Sequence, residues 1–303
     1  MTPRDPAVGA RESATGAIYD LGYQSYDGPR LGRRAAVATL YWSSLRQVFG
    51  LGRSGRAKII PWGLSAFAVI PAAVAAAISA LVPVGGASPF TYDNYLFGMA
   101  SILALFVAAQ APEIVSSDQR NNVLSLYFSH ALNRSDYALA KLGALASALY
   151  LLCLVPLLVL FLGAVLAAAD VVEAFGDQLE NVPQILGAPL IYAVPLAALG
   201  LAIAAYTPRR AYATGAIIAV FIVTAAIAGI LEQTTTGMVG RIGPLLNPFV
   251  ILDGARDWLL GDTPPDSPIP GMRLAMPIFG ALALAIAAIG CGVTLWRYRR
   301  VQA

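Results

Sequence analysis

The chain has 303 residues, of which 58% are hydrophobic and 12% charged, with a formal net charge of +3 and a mean hydropathy of +0.68. Soluble globular domains are less apolar and carry about 25% charged residues, so this composition excludes a soluble enzyme or binding domain and predicts an integral membrane protein. The net charge says little about partners, because basic and acidic residues are segregated along the chain.

Residues 1–58 are predicted to form a cytoplasmic tail that ends in an interfacial helix. Residues 1 to about 35 are polar and rich in glycine, without apolar periodicity. In residues 35–50, Val37, Leu40 and Tyr41 begin a broad apolar face, and Trp42 suits the headgroup level, which is typical of a helix lying along a leaflet. The basic residues that follow, Arg53, Arg56 and Lys58, are interpreted as a topology anchor rather than a lipid or nucleic-acid site.

The turn after this helix matches the dinucleotide-binding pattern G-x-G-x-x-G at Gly50, Gly52 and Gly55. That pattern binds pyrophosphate only when it follows a strand and opens a helix of a βαβ unit. Here it follows an amphipathic helix and leads into a membrane span. We therefore interpret it as a flexible elbow and predict no cofactor-binding residue on this chain.

Residues 59–303 are predicted to form an all-α, polytopic domain of six transmembrane helices, because six stretches are apolar over the roughly 20 residues that cross a bilayer core. The predicted spans are Ile59–Val82, Tyr95–Pro112, Ala138–Ala169, Val182–Tyr206, Ala211–Leu231 and Leu274–Trp296. Alanine and glycine are frequent in them, which allows helices to approach closely.

The basic residues predict the orientation of the spans. They concentrate in the tail up to Lys58, between the second and third spans, between the fourth and fifth spans, and at the C-terminus. Cytoplasmic loops carry an excess of lysine and arginine, so both termini are predicted to be cytoplasmic. The loop between the third and fourth spans is acidic, with Asp170, Glu173, Asp177 and Glu180, and we interpret it as a solvated outer loop rather than a cation site.

A polar segment at residues 113–137 separates the second and third spans. Within it Val123, Leu124, Tyr127 and Phe128 recur at helical spacing, which predicts a short amphipathic helix at the cytoplasmic surface. Two interpretations stay open on these residues alone. Either a soluble partner contacts the helix and moves it, or the helix rests on the lipid headgroups.

The loop at residues 232–273 is predicted to contain a short outer helix. Asn247 followed by Pro248 is typical of a helix start, and Gly261 of a helix end. The apolar side chains Phe249, Leu252 and Trp258 are expected to dip into lipid or cap the bundle, while a second, charged set stays in water. That charged set is Asp253, Arg256 and Asp257. A lid over a pathway and a structural plug are both compatible with this loop.

Missing residue types limit the chemistry of the chain. His130 is the only histidine, so neither a metal constellation nor a Ser-His-Asp triad is predicted. Cys153 and Cys291 are expected to pack as small apolar residues, and neither Lys58 nor Lys141 lies in a P-loop sequence. The spans carry almost no ionisable residue away from their ends, which argues against a proton-coupled transporter or an intramembrane enzyme. Energy, if used, must come from another polypeptide.

Three segments carry a resemblance to a known family. APEIVSSDQRNNVLSLYFSHALNRSDYALAK follows the second span, YDLGYQSYDGPRLGRR precedes the interfacial helix, and LNPFVILDGARDWLLG lies in the outer loop. They resemble permease subunits of the ABC-2 class of ATP-binding-cassette transporters, particularly actinobacterial ones. The resemblance covers nearly the whole chain, and the first segment is its most specific part.

The resemblance implies a non-enzymatic exporter subunit of the cytoplasmic (inner) membrane. Two copies, as a homodimer or with a similar permease, would work with two ATPase subunits that bind ATP and Mg, without nucleic acid. The ATPase-coupling contacts would be Glu113, Asp118, Arg120, Leu124, Tyr127 and Phe128, with a second contact at Arg33 and Arg34. The uncharged spans favour an amphipathic or lipophilic cargo, such as a drug, peptide or lipid. The alternative is a non-transporting scaffold that recruits a soluble partner through the same loop.

Overall fold

A computed structural model describes residues 28, 31–81, 91–129, 132–235, 237–261 and 267–300. The chain divides into two compact units, residues 1–31 and 32–303, and the helices of the described residues belong to the second. All regular secondary structure in the described residues is helical. His130 and most of the motif at residues 19–34 lie outside the described residues.

In the part of the chain that the structure describes, six helices are long and apolar enough to cross a membrane, which confirms the predicted multi-pass membrane protein. The α-helices are α1 (Arg33–Val48), α2 (Gly55–Leu81), α3 (Tyr92–Gly98), α4 (Ala100–Arg120), α5 (Leu124–Phe128), α6 (Arg134–Ala167), α7 (Val171–Gln178), α8 (Val182–Ala204), α9 (Arg210–Thr234), α10 (Gly237–Ile242), α11 (Pro248–Leu260), α12 (Ile269–Met272) and α13 (Pro277–Arg300). The six membrane-spanning candidates are α2, α4, α6, the continuous pair α7–α8, α9 and α13.

The second span differs from its predicted boundaries. The prediction was one helix over Tyr95–Pro112, whereas the structure has a break at Met99, and α4 continues through Pro112 to Arg120. Residues 112–116 are all buried among neighbouring helices. Tertiary packing of this face therefore outweighs the helix-breaking tendency of the proline, and the polar residues expected in a loop extend the span.

The long helix α6 is the centre of the bundle. It packs against α1, α2, α8 and α13, while α4 packs against α2, α8 and α9. Small residues make these contacts close, as at Gly163 beside Ala76 in α2 and at Gly290 beside Ala198 in α8. Without a strong hydrophobic drive between helices in lipid, such close approach supplies much of the association.

Gly290→Ala is expected to destabilise the bundle, since a Cβ there would lie 2.7 Å from the carbonyl carbon of Ala198. The neighbouring atoms are backbone and cannot rotate away, so α8 and α13 must separate, at a cost of about 1–3 kcal/mol. Thermal unfolding in detergent measures the loss. The matched control is Gly292→Ala, because no atom lies within 4 Å of that Cβ position. Equal melting temperatures for the two variants would contradict the close contact.

Candidate functional site

The basic segments of the sequence meet at one end of the bundle, which we call the basic end. Arg53 before α2 and Arg210 at the start of α9 both form ion pairs with Glu113 of α4. Arg134 of α6 donates to the carbonyl oxygen of Arg299 in α13 at 3.0 Å. The described basic residues here are Arg33, Arg34, Arg46, Arg53, Arg56, Lys58, Arg120, Arg134, Lys141, Arg209, Arg210, Arg297, Arg299 and Arg300. The four segments predicted to share a side do share one.

Glu113 is the first of two buried carboxylates in the last turns of α4. It is only 9% exposed and lies between the guanidinium groups of Arg53 and Arg210. The side-chain amide of Gln47 in α1 donates to the backbone carbonyl oxygen of Glu113 at 2.9 Å. Three elements, α1, the α1–α2 turn and the start of α9, are therefore tied to one position of α4.

Asp118 is the second carboxylate, and its main partner is Lys141 of α6. The Nζ–Oδ2 distance is 2.9 Å, and the Tyr137 hydroxyl donates to the same oxygen at 2.8 Å. Lys141 is 2% exposed. A buried ammonium without a counter-ion is strongly disfavoured, so this pair has to form whenever α4 and α6 pack. Together with Arg53, Glu113 and Arg210 these groups make up what we call the α4 ion-pair network.

An aromatic cluster holds the short helix α5 against this network. The ring of Tyr137 lies 5.8 Å from Tyr127, 6.0 Å from Phe128 and 5.0 Å from Tyr298 of α13. Gln119 donates to the Tyr298 hydroxyl and to the Ala205 carbonyl oxygen, both at 3.0 Å. Burial, with a smaller effect of the Asp118 charge, raises the pKa of Tyr127, so this ring stays neutral and packed.

The corner between α4 and α5 is built by a Schellman motif. The Val123 N–H donates to the Asp118 carbonyl oxygen and the Asn122 N–H to that of Gln119, with Asn122 in the left-handed region at φ 52°. Asparagine is one of the few residues that adopt this conformation readily. The pair Asn121-Asn122 was the available sequence signal that α4 ends here and not at Pro112.

The predicted coupling residues fall into two groups. Arg120 lies exposed at the corner, whereas Leu124 is buried and Tyr127 and Phe128 are half-buried against α6. Leu126, which was not among the predicted contacts, is 61% exposed beside them. The corner thus presents one cation and one apolar side chain to solvent.

Glu113 and Asp118 were also predicted as partner contacts. The structure gives both an internal role, because each is buried and bonded to cations of this chain. Their contact with another protein stays a prediction. The physical reason for their position is the extension of α4, which carries residues expected in a solvated loop into the bundle.

The second predicted contact, Arg33 and Arg34, begins α1. Arg33 makes a two-pronged ion pair with Asp136 of α6, at 2.6 and 2.7 Å, and this bonding raises the pKa of the guanidinium. Arg34 is exposed beside a groove of about 590 Å³ between α1 and α6, floored by Val37 and Leu139. A cation and an apolar floor are again adjacent.

At the other end of the bundle, α11 departs from expectation. Its start at Asn247 and its end at Gly261 are confirmed, and the Asn247 side chain accepts from the Phe249 N–H at 3.1 Å. However, residues 248–257 are all buried, including the charged set expected in water. Phe249 and Leu252 are buried with them, and Trp258 is partly exposed against Gly280. The helix is inserted into the bundle, between α8 and α13.

Hydrogen bonds explain how α11 buries its charges. Arg256 is 0% exposed; it donates to Asp257 at 2.5 and 3.0 Å and to the Asp93 carbonyl oxygen at 2.9 Å. It also donates to the Tyr192 hydroxyl near the middle of α8 at 3.2 Å, and Tyr192 donates to Asp253. We call these residues the α11 charge cluster. It corrects the expectation that the charges of this helix stay wet.

The protonation balance of the α11 charge cluster is set by burial. Burial raises the pKa of Asp253 to about 6, although the hydrogen bond from Tyr192 and the charge of Arg256 oppose the shift. For Arg256, burial acts to lower the pKa, but the surrounding acidic groups outweigh it and raise it. Near pH 6 the cluster therefore combines the charged guanidinium of Arg256 with a carboxyl group, that of Asp253, which can exchange a proton.

Comparisons with known proteins do not identify the chain. No protein-family model matches its sequence, and no curated protein matches it. Within the described residues, no group of three or more His, Cys, Asp or Glu side chains could hold a metal ion.

Lys141→Met is expected to lower the free energy of unfolding by about 3–5 kcal/mol, because it leaves Asp118 buried without its counter-ion. Unfolding in detergent, induced by heat or by denaturant, measures the change. The double variant Lys141→Met/Asp118→Asn should recover most of it, since the unpaired charge is then gone. Arg33→Met, which breaks a pair whose cation is exposed, should change stability much less. A double variant as unstable as the single one would contradict a charge-pairing role.

Asp253→Asn should remove a pH-dependent instability. Asp253 has a folded-state pKa near 6 against an ordinary value of 3.8, so the folded state binds more protons and the wild type loses stability as pH rises between these values. The free energy of unfolding of Asp253→Asn, relative to that of the wild type, should therefore rise over this pH window by up to about 3 kcal/mol. Unfolding in detergent from pH 4 to 8 measures it. Tyr192→Phe removes a hydrogen bond to the carboxylate and should move the window upward; a pH-independent difference for Asp253→Asn would oppose the assignment.

Proposed function

We propose that this chain is the membrane-spanning permease subunit of an ATP-driven exporter of the ABC-2 type. Two such chains, identical or similar, would pair in the cytoplasmic membrane with two ATPase subunits that bind ATP and Mg. The observation that carries the proposal is the α4–α5 corner, which presents an exposed cation and an exposed leucine at the end of α4. Ion pairs of Glu113 and Asp118 tie that end of α4 to the α1–α2 turn, α6 and α9, and a hydrogen bond from Gln47 ties it to α1.

The charge distribution supports a cytoplasmic position for this corner. The basic end collects arginines and lysines from α1, from the α1–α2 turn with the start of α2, from the end of α13 and from two connections between spans, the pattern of cytoplasmic segments. The opposite end carries the acidic helix α7 with its neighbours, where Tyr92 donates to Gln178 at 2.6 Å. With this orientation both termini are inside, α1 lies on the inner side, and α11 enters the bundle from outside.

The continuity of α4 supports a mechanical role. A soluble subunit that moves the corner acts on a helix that runs without interruption from Arg120 to Ala100. The α4 ion-pair network passes the displacement to α6 through the buried Asp118–Lys141 pair, whose charges are costly to separate, and to α9 through the Glu113–Arg210 pair. Coupling of this kind needs a physical connection between the two sites, and here the connection is a helix with two fixed carboxylates.

The apolar spans support pairing with a second permease. In α2 and α9 only 17% of the most hydropathic window is buried within the chain, and both helices flank α4. A second copy placed on this side would bury them and enclose a path beside α4. An uncharged lining of this kind favours an amphipathic or lipophilic cargo over a bare ion.

Arg120→Glu and Leu126→Asp should each abolish recovery of the ATPase subunit with the tagged chain, while insertion in the membrane and the melting temperature stay unchanged. Both side chains are exposed, so their loss removes contacts with a partner and not internal packing. Pull-down from native membranes in mild detergent, with an ATPase assay on the eluate, measures the result.

Val172→Asp is the matched control for the apolar contact, because its side chain is equally apolar and 83% exposed but lies at the acidic end. ATPase recovery should be normal in this variant. Normal recovery from Arg120→Glu and Leu126→Asp as well would contradict coupling through the corner. Recovery of a soluble partner without cargo-stimulated hydrolysis would favour the scaffold alternative.

The α11 charge cluster favours a second candidate function, a proton-coupled carrier. The premise against such a carrier was that the spans carry almost no ionisable residue away from their ends, but Asp253 and Arg256 of the outer helix are buried within the bundle beside those spans. Buried charged residues of membrane domains commonly serve ion or proton coupling. Uptake into vesicles driven by a pH gradient without ATP, and lost in Asp253→Asn, would support this function over the exporter.

A further inference from the structure

An apolar groove lies between α2 and α6, beside the α1–α2 turn. Its volume is about 480 Å³, within the range of about 300–1,000 Å³ found for ligand sites. The walls come from the turn, from α2 and from α6. The lining includes Phe49, Leu51, Trp62, Val69, Leu151 and Val155. Since α2 and α6 are both membrane-spanning helices, the groove opens sideways into the bilayer.

Two basic residues lie at the basic end of this groove. Lys58 is one helical turn before Trp62 and shares its face of α2, whereas Arg56 lies in the same first turn but on another side of the helix. Both side chains are exposed, and no ion pair with either is found among the described residues. Arg53, by contrast, is engaged by Glu113. Two cations are therefore available where the groove meets the headgroup level.

We propose that this groove is a binding site for one anionic phospholipid of the leaflet at the basic end. The phosphate would lie beside Lys58, with Arg56 adding positive charge at the same headgroup level, the ester region beside Trp62, and one acyl chain along Val69 toward Val155. From Lys58 to Val69 the helix rises about 16 Å, close to half the hydrocarbon thickness of about 30 Å. The order of groups along α2 matches the order of groups in the lipid.

Charge complementarity favours a lipid over a second copy of the chain. The described carboxylates of the basic end are Glu113, Asp118 and Asp136, and each is bonded to a cation of its own chain. A second copy would therefore bring apolar side chains to the groove but no carboxylate from this set to Arg56 and Lys58. An anionic headgroup supplies both the apolar chain and the missing charge.

The test reads lipid contact at Trp62 of the full-length chain. The other three tryptophans, Trp42, Trp258 and Trp296, are replaced by phenylalanine, so that fluorescence reports on the groove alone. The protein is reconstituted in phosphatidylcholine vesicles that contain a minor share of lipid with brominated acyl chains, which quench tryptophan on contact. This lipid is either phosphatidylglycerol or phosphatidylcholine.

Brominated phosphatidylglycerol should quench Trp62 at a lower lipid fraction than brominated phosphatidylcholine. Each basic residue near an anionic surface contributes about fivefold to affinity, so Arg56→Gln/Lys58→Gln should lower the phosphatidylglycerol affinity at least about fivefold, to that of phosphatidylcholine. Arg209→Gln/Arg300→Gln removes two exposed arginines of the same end from other helices and should leave the preference unchanged. Lys58→Gln alone provides a milder variant if the double one inserts poorly.

Three results would overturn the site. Equal quenching by the two lipids in the protein that keeps Arg56 and Lys58 would mean that Trp62 contacts only unselective surrounding lipid. A preference that survives Arg56→Gln/Lys58→Gln would place the selectivity elsewhere. No quenching by either lipid would mean that protein, such as a second copy, covers the groove. None of these results depends on an ATPase, so failure of the lipid site and failure of the exporter proposal are distinguishable.

Discussion

The two carboxylates of α4 set the arrangement of the basic end. Burying a carboxylate is unfavourable unless a cation and hydrogen-bond donors accompany it, and Glu113 and Asp118 both have such partners. Because those partners come from the α1–α2 turn, α6 and α9, three regions distant in sequence must meet around one helix. Apolar packing alone would allow α4 to rotate or slide, since contacts among alanine, leucine and valine have little directional preference.

The same constraint acts at the other end of the bundle, on Arg256. A guanidinium has five N–H donors and cannot lose its charge, so a fully buried arginine requires acceptors from several directions. It finds them on Asp257 and Tyr192 and in the carbonyl group of Asp93, which draws α11 inward between α8 and α13. The bundle is therefore held by a charge network at each end, with close contacts of small residues between them.

The α1–α2 turn contacts both the α4 ion-pair network, which leads to the α4–α5 corner, and the apolar groove between α2 and α6. Arg53 in this turn bonds to Glu113 of α4, while Phe49 and Leu51 form one wall of the apolar groove. A lipid in the groove and a partner at the α4–α5 corner would therefore act on the same turn from opposite sides. The groove is available without any movement of α4, so lipid would stabilise this end whether or not the corner is engaged.

The sequence alone determined the fold class, the six spans, the short helix at Pro248–Leu260 and the segments that share one end, because hydrophobicity over about 20 residues and the sign of charged segments are local properties. Tertiary structure decided which polar residues are buried. The extension of α4 past Pro112, the pairing of Asp118 with Lys141 and the inward position of Arg256 each depend on a partner many residues away. No local pattern distinguishes an aspartate that faces water from one that faces a buried cation, since that difference arises only when the helices pack.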